Sequence, residues 1–380
     1  MQLNDAVIRE ILDHFDLPGE YVGFRPIEYG HINDTLSVTY MQDGVQKRYI
    51  LQRINTHVFT KPAELMENVV NVTRYLADYA RAHGGDPARE TLTVFPTHDG
   101  ALFYRTPDGD CMRVYNYVED TYSLQSIDDP EDFRKAGEAF GAFQGKLADY
   151  PSDTLHETIP LFHDTANRFA ALRAAIEADA AGRAKDVQAE IEFALQREAD
   201  AHVLLDLLKK GKLPLRVTHN DTKLNNVLFD NATKRGICVV DLDTVMPGLS
   251  LYDFGDSIRF GANTAAEDEK DLDKVSLDLN LYRAYTEGYL SAAGKSLTET
   301  EIAYLPFSGK LMTLECGIRF LTDHLNGDTY FHIAYPGHNL DRCRTQLRLV
   351  EDMEKKMGDM QKITEQAAAQ YCRKDVDVCC

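Results

Sequence analysis

The hydrophobic period of the sequence changes near residue 120, and this change constrains the fold more than any other feature. Residues 21–55 alternate between apolar and polar side chains and contain the turn Gln42-Asp43-Gly44, a pattern typical of an antiparallel sheet. From Asp129 onward, apolar residues recur at helical spacing. Because 380 residues exceed what one core usually supports, we predict an α+β fold of two lobes. Residues 1–117 would form a β-rich lobe, and residues 118–380 a mainly helical one.

Individual elements follow from the same periodicities. The N-terminal stretch predicts an amphipathic helix capped by Asn4 or Asp5, and Leu65, Val69, Val72 and Leu76 predict a helix over 62–82. Within the second region, residues 226–241 interrupt the helices and predict a β-hairpin. The helical patterns of that region cover residues 130–147, 185–210, 276–292, 299–325 and 340–371.

Composition excludes several classes of partner. The formal charge of −20 would repel nucleic acid and anionic lipid, so we expect neither as a partner. The seven cysteines lack zinc-site spacing and are expected to be reduced thiols. Because the sequence shows neither a signal peptide's apolar region nor a membrane span, we predict a cytoplasmic protein. The oligomeric state is not determined by these features.

His219, Asp221 and Asn226 have the H-x-D-x-x-x-x-N spacing of a kinase catalytic loop. In such a loop the aspartate accepts the proton of the substrate hydroxyl, and the asparagine contributes an oxygen to Mg²⁺. On this motif alone, a polar turn between strands is the alternative interpretation. Lys223 either neutralises the transferring phosphoryl group or is an exposed loop lysine.

A second acidic motif follows the apolar stretch 237–240. Asp241 is predicted as the second magnesium ligand. Because strand side chains alternate, Asp241 and Asp243 are expected to share a face, so Asp243 is either an auxiliary ligand or a salt-bridge partner.

Asp253-Phe254-Gly255 spells the magnesium motif of protein kinases, but it follows a loop and not an apolar strand. We predict that Asp253 opens a helix as its cap or accepts hydrogen bonds from the catalytic loop, giving structural support together with His219.

This succession of motifs resembles the aminoglycoside phosphotransferase and choline kinase superfamily, which implies a protein-kinase-like fold. Five stretches narrow the resemblance further: YGHINDT (29–35), VTHNDTKLNN (217–226), FGDSIRFGA (254–262), LECGIRFL (314–321) and DTYF (328–331). They look like those of the N-acetylhexosamine 1-kinases within that superfamily. The resemblance implies Mg²⁺- and ATP-dependent phosphorylation of the anomeric 1-hydroxyl of N-acetylglucosamine or N-acetylgalactosamine, a small sugar substrate. A kinase of homoserine, choline, ethanolamine or an aminoglycoside, and a non-catalytic binding protein of this fold, are the alternatives.

The resemblance also implies sugar contacts for Asp221, His31, Phe260, Arg319 and Tyr330. Phe260 either stacks on the apolar face of the hexose or belongs to the core. Arg319 lies in an apolar helix, where a guanidinium would be costly to bury without a partner.

The nucleotide site departs from the usual kinase pattern. Gly30 is the one glycine in the loop expected to cover the phosphates, and Gln52 followed by Arg53 stands where the phosphate-binding lysine is expected. Because a shift of one residue moves a strand side chain to the opposite face, Arg53 cannot substitute without a bulge. We therefore predict Gln52 as the phosphate neighbour, with an amide such as Asn68 as its partner.

Residues 113–118 are predicted to form the hinge that offers backbone groups to adenine. Tyr115, Asn116 and Tyr117 would contact the nucleotide there, and one of the two tyrosines is expected to pack in the core instead.

Overall fold

The computed structural model describes residues 3–27, 33–127 and 129–372. In chain order its α-helices are α1 (Asp5–Leu12), α2 (Pro62–Ala82), α3 (Pro87–Glu90), α4 (Pro130–Lys146), α5 (Thr165–Ala178), α6 (Gln188–Leu195), α7 (Val203–Lys209), α8 (Ser250–Gly261), α9 (Leu279–Ala293), α10 (Glu299–Leu325) and α11 (His338–Tyr371). Its strands are β1 (Glu20–Pro26), β2 (Asp34–Gln42), β3 (Val45–Ile54), β4 (Val94–Phe95), β5 (Tyr104–Arg105), β6 (Cys111–Asn116), β7 (Thr121–Tyr122), β8 (Arg216–Thr218), β9 (Val227–Asp230), β10 (Gly236–Val239) and β11 (Met246–Gly248). Strands dominate the N-terminal third and helices the remainder.

These elements belong to two compact units. Unit 1 comprises residues 1–123, 149–160 and 228–247, and unit 2 comprises residues 124–148, 161–227 and 248–380. Because the chain enters each unit more than once, both are discontinuous in sequence. The predicted division into residues 1–117 and 118–380 stays a prediction.

Unit 1 is built on an antiparallel sheet of order β1-β2-β3-β6-β4, with β5 also paired to β6. Helix α1 packs on this sheet because Ile8 and Leu12 are buried against Val38 and Leu51. Asn4 caps the helix by accepting a hydrogen bond from the Val7 N–H at 3.1 Å. The amphipathic N-terminal helix and its cap are therefore confirmed.

The hairpin between β2 and β3 turns at two residues with left-handed backbone. Asp43 has φ of +51° and Gly44 has φ of +79°. Two consecutive positive φ values match the right-handed twist of the flanking strands, which is why Asp-Gly is favoured here. The predicted turn is confirmed.

Unit 2 is held together by close contact between α4 and α9. A Cβ atom added to Gly137 or Gly141 would lie 2.5 or 2.4 Å from the carbonyl oxygens of Tyr285 and Tyr289, respectively. Only glycine permits so close an approach of helix backbones. The ring of Phe254 from α8 packs edge-on against the rings of the same two tyrosines, at 5.6 Å from Tyr285 and 5.3 Å from Tyr289.

Most predicted elements are observed, but the helix over 185–210 is not continuous. It is divided into α6 and α7 by a 3-10 turn, Glu198–His202. Arg197 donates to the Phe193 carbonyl at 2.9 Å and forms a two-pronged ion pair with Glu354 at 3.0 and 2.7 Å. A side chain thus ends α6 where the sequence has no glycine or proline. No helix in the described ranges is long and apolar enough to cross a membrane.

Candidate active site

The loop 219–226, between β8 and β9, is tied to α8 through its main chain. The Asp253 carboxylate accepts hydrogen bonds from the backbone N–H groups of His219 and Asn220, at 2.9 and 2.8 Å. The Gln144 amide donates to the same carboxylate at 2.8 Å. Burial raises the pKa of Asp253, and these donors oppose the effect by favouring the carboxylate.

Asp253 does not open the helix, because α8 begins at Ser250. The prediction that Asp253 is its cap is therefore wrong. The carboxylate lies in the first turn of the helix and faces the loop instead. This position matches the other alternative, in which Asp253 accepts hydrogen bonds from the loop.

A second carboxylate of α8 holds the next part of the loop. Thr222 donates its hydroxyl to the Asp253 carbonyl at 2.7 Å and its backbone N–H to Asp256 at 3.3 Å. Arg259 donates to Asp256 at 3.0 and 2.9 Å. Burial works against ionisation of Asp256, but the charges of Arg259 and His163 outweigh it and lower its pKa. Two carboxylates one helical turn apart thus fix the loop.

The predicted catalytic aspartate is accessible within this fixed loop. The Asp221 side chain retains 22% of its exposure and forms an ion pair with Lys223 at 2.9 Å. Asn226 donates its amide N–H to the Asp221 carbonyl at 2.8 Å, and its Oδ1 is the atom predicted to bind Mg²⁺. His219 is fully buried, with the rings of Phe140 and Phe143 at 5.7 and 6.0 Å.

The predicted sugar contacts in unit 2 are not core residues. Phe260 and Tyr330 retain 42% and 66% of their exposure, so the core interpretation of Phe260 is wrong. Arg319 is half-buried, and its guanidinium lies 5.5 Å from the ring centroids of both Phe162 and Phe331. The faces of these two aromatic rings stabilise the guanidinium charge, which an apolar helix would otherwise disfavour.

One helical turn before Arg319, a buried pair links α10 to the segment before α5. Glu315 accepts from His163 Nδ1 at 2.8 Å and from the Thr165 hydroxyl at 2.7 Å. Burial opposes ionisation of Glu315, but His163, Arg319 and Thr165 together lower its pKa. The sequence contained no local motif for this pair, which joins residues far apart in the chain.

In unit 1, the predicted second ligand Asp241 is exposed and has left-handed backbone, with φ of +60°. Asp243 is buried at 3% exposure. The expectation that the two share a strand face is therefore wrong, because β10 ends at Val239 and the chain turns at Asp241. Arg113 lies 2.5 Å from Asp243 in an ion pair, the second of the two alternatives predicted for this residue.

Gln52 already has partners at both ends of its amide. Its Nε2 donates to the Thr35 hydroxyl at 3.0 Å, and its Oε1 accepts from Arg113 at 2.6 Å. Asn68 does not bond to it, because the Asn68 amide donates to the carbonyls of Val245 and His156 at 2.9 and 2.8 Å. The suggested pairing of Gln52 with Asn68 is wrong, and contact of Gln52 with phosphate stays a prediction.

The predicted hinge residues follow one another at the end of β6. Tyr115 is the core tyrosine, buried to 5% exposure, whereas Tyr117 is half-buried under the Arg48 guanidinium, 3.8 Å from its ring centroid. Asn116 accepts from the Thr93 N–H at 2.6 Å and donates to the Ala88 carbonyl at 3.0 Å. Nucleotide contacts of these three residues stay a prediction.

Gly30 and His31 lie outside the described residues. The donors predicted for magnesium, Asn226 Oδ1 in unit 2 and the Asp241 carboxylate in unit 1, are both oxygens. Oxygen is the ligand that Mg²⁺ prefers, so these side chains fit that ion.

The loop 219–226 is anchored on α8 and presents the accessible Asp221, with the buried Asn226 bonded to its backbone carbonyl. Residues 23–293 match the phosphotransferase enzyme family, and the chain belongs to this family.

Solved structures share the fold over nearly the whole chain. An aminoglycoside phosphotransferase from Alicyclobacillus acidocaldarius has a TM-score of 0.62 and 12% identity, covering 96% of this chain and 98% of its own. A microcompartment-associated aminopropanol kinase has a TM-score of 0.56 and 17% identity, covering 94% and 98%. A choline kinase from Cryptosporidium parvum has a TM-score of 0.53 and 16% identity, covering 94% and 97%. The predicted α+β, kinase-like fold is confirmed.

Proposed function

We propose that the chain transfers the γ-phosphoryl group of ATP to the anomeric 1-hydroxyl of an N-acetylhexosamine. The observation that supports a sugar acceptor is the surroundings of Arg319. A guanidinium flanked by Phe162 and Phe331, beside the exposed Tyr330, offers hydrogen-bond donors and apolar ring faces. Donors of this kind suit the oxygens of a neutral sugar, and an exposed ring such as Phe260 suits its apolar face.

Asp221 would accept the proton of the sugar hydroxyl. Its carboxylate forms an ion pair with Lys223, and the Asn226 amide donates a hydrogen bond to its backbone carbonyl. When the acceptor hydroxyl replaces Lys223 beside Asp221, the ammonium becomes available to the transferring phosphoryl group. Anchoring by Asp253 supplies the fixed orientation on which phosphoryl transfer depends.

Asn226 and Asp241 would hold Mg²⁺. When bound with ATP, the ion neutralises charge on the phosphates. Gly30, Gln52, Tyr115, Asn116 and Tyr117 are proposed to contact the nucleotide, and His31 the sugar.

A cationic acceptor is the second candidate, because aminopropanol and choline kinases share the fold. An ammonium group would need carboxylates that are not already neutralised. Glu315 is bonded to His163, and Asp256 is paired with Arg259. These pairings weaken the case for an amino alcohol.

An ADP-release assay tests the proposal. The panel would contain N-acetylglucosamine, N-acetylgalactosamine, choline, ethanolamine, 1-amino-2-propanol, homoserine and an aminoglycoside. We expect turnover with the two hexosamines, and phosphorus NMR should show an anomeric phosphate. Faster turnover of an amino alcohol would contradict the sugar assignment. ATP binding without turnover of any acceptor would favour the non-catalytic alternative.

A further inference from the structure

Arg113 is a buried arginine in the middle of an apolar strand. Its exposure is 1%, and its β6 neighbours Met112 and Val114 are fully buried. A guanidinium in such surroundings is costly unless ion pairs and hydrogen bonds compensate for the lost water. Replacing a buried ion pair by apolar side chains is often neutral or stabilising, so stability alone is a weak reason for an arginine here.

The contacts of Arg113 converge on one face of the sheet. Gln52 is its direct partner across the β3–β6 ladder, so both side chains lie on the same face. The guanidinium donates from Nε and a terminal nitrogen to Gln52 Oε1, at 3.0 and 2.6 Å. A terminal nitrogen also lies 2.5 Å from Asp243 Oδ1. Gln52 therefore orients the arginine toward Asp243.

Asp243 is held from a second direction. Its Oδ2 accepts a hydrogen bond from the Asn33 amide at 2.7 Å, and Asn33 Oδ1 accepts in turn from the Asn55 backbone N–H at 2.9 Å. The side chains of Arg113 and Asn33 therefore hold the carboxylate at its two oxygens, the first by an ion pair and the second by a hydrogen bond. Charged partners with fixed geometry give stronger and more directional contacts than neutral ones.

Asp243 fixes the turn that carries Asp241. Asp241 occupies left-handed backbone, which costs an L-residue roughly 1–2 kcal/mol and needs support from its surroundings. The turn continues as a 3-10 helix, Leu242–Thr244, in which every residue is buried. Burial opposes the charge on Arg113, but the carboxylate of Asp243 and, to a smaller extent, that of Asp241 raise its pKa.

We propose that Arg113 is a positioning residue for the Asp241 carboxylate, acting through the Asp243 ion pair that fixes the 241–244 turn. The inference rests on the proposed function in one respect, the assignment of Asp241 as a ligand of the divalent ion that accompanies the nucleotide. It does not depend on the acceptor.

The test measures metal affinity and not only activity. Arg113→Lys keeps a positive charge but loses the two-pronged contact with Gln52. Arg113→Met removes the charge from a side chain of similar length. Arg197→Met is the matched control, because it removes a two-pronged ion pair with Glu354 within unit 2. For each folded protein, Mn²⁺ affinity in the presence of ADP is measured by electron paramagnetic resonance well below its Tm.

Removal of a group that orients a metal ligand typically weakens metal binding by about 10–100-fold, which we expect for Arg113→Met. Arg113→Lys should recover part of the Mn²⁺ affinity. Arg197→Met should lower Tm but leave the Mn²⁺ affinity unchanged. Unchanged or tighter Mn²⁺ binding by Arg113→Met would overturn the inference. If that variant does not fold, wild-type affinity in Arg113→Lys would overturn it.

Failure of the acceptor assignment gives a different result. A wild-type protein that binds Mn²⁺ with ADP but phosphorylates no hexosamine would refute the sugar proposal and leave the role of Arg113 testable as described. A wild-type protein that shows no Mn²⁺ binding with ADP would overturn the role of Arg113, because Asp241 would then be no ligand.

Discussion

The loop 219–226 and the turn 241–244 each present a carboxylate next to left-handed backbone, but they are held differently. In the loop, Asn220 has φ of +64°, and buried Asp253 accepts hydrogen bonds from backbone N–H groups. In the turn, buried Asp243 is held by the side chains of Arg113 and Asn33. A main-chain anchor depends on one acceptor, whereas a side-chain anchor depends on two matched partners. The loop should therefore tolerate changes in its donors better than the turn does.

The largest effect is expected at the residue that the loop presents. Asp221→Ala removes the proposed proton acceptor and should lower kcat by about a hundred- to ten-thousand-fold. ATP affinity should change little, because the proposed nucleotide contacts lie elsewhere in the chain. Steady-state kinetics and nucleotide titration check both expectations, and full activity would refute the catalytic role.

The next largest effect is expected at the anchor of the loop. Asp253→Asn replaces one acceptor oxygen by an amide N–H, which faces a backbone N–H that it cannot bond. Leaving a buried polar group unsatisfied in this way lowers the free energy of unfolding by roughly 1–3 kcal/mol. A displaced loop would also lower kcat by up to about a hundredfold. Chemical denaturation and kinetics measure the two effects.

Asp164→Asn is the matched control for that substitution. Asp164 accepts a single hydrogen bond from the Asn167 N–H at the start of α5, and asparagine is an equally good cap. Wild-type kinetics in Asp253→Asn would mean that the main-chain anchor does not matter.

A smaller effect is expected at a donor within the loop. Asn220→Gly keeps the backbone N–H and tolerates positive φ, so it should change the free energy of unfolding by less than about 1 kcal/mol. Asn220→Val keeps the same donor but must adopt left-handed backbone, at a cost of roughly 1–2 kcal/mol. If the glycine variant were the less stable of the two, the left-handed backbone at position 220 would not be what limits substitution there.

The smallest expected effect is a change in how steeply stability falls in acid. The pKa of Asp256 in the folded protein is lowered because the charges of Arg259 and His163 outweigh burial. Below the ordinary carboxyl value of about 4, the unfolded chain therefore binds more protons than the native state, and stability is lost as the pH falls. Asp256→Asn lacks this contribution, so its Tm should fall less steeply with decreasing pH than that of the wild type. Parallel curves would contradict the assignment.

Local patterns were sufficient to predict much of the fold. Helix α2 and helix α10 have the predicted bounds, because apolar residues recur on one face and Pro62 and the Thr298 cap mark the starts. The division between α6 and α7 was not predictable, since Arg197 ends α6 through a partner on α11. Contacts between distant residues override helical periodicity in such places.

The site shows the same limit. The spacing from His219 to Asn226 indicated the loop, whereas the face of Asp243 was mistaken because alternation stops when a strand ends at a left-handed residue. The sequence places Arg113 in the predicted hinge, residues 113–118. A lone arginine among Cys111, Met112, Val114 and Tyr115 was nevertheless a signal, because a guanidinium in an apolar strand requires a partner. The identity of that partner depends on the tertiary structure.

The anchoring of the loop on Asp253 has a consequence for amide hydrogen exchange. Loop amides usually exchange fast with solvent deuterium, but those of His219 and Asn220 donate to a buried carboxylate on a helix packed in the core. Their protons can exchange only when α8 separates from the loop. Two amides outside regular secondary structure should therefore be among the slowest in unit 2, and their exchange rates would report the opening of that helix.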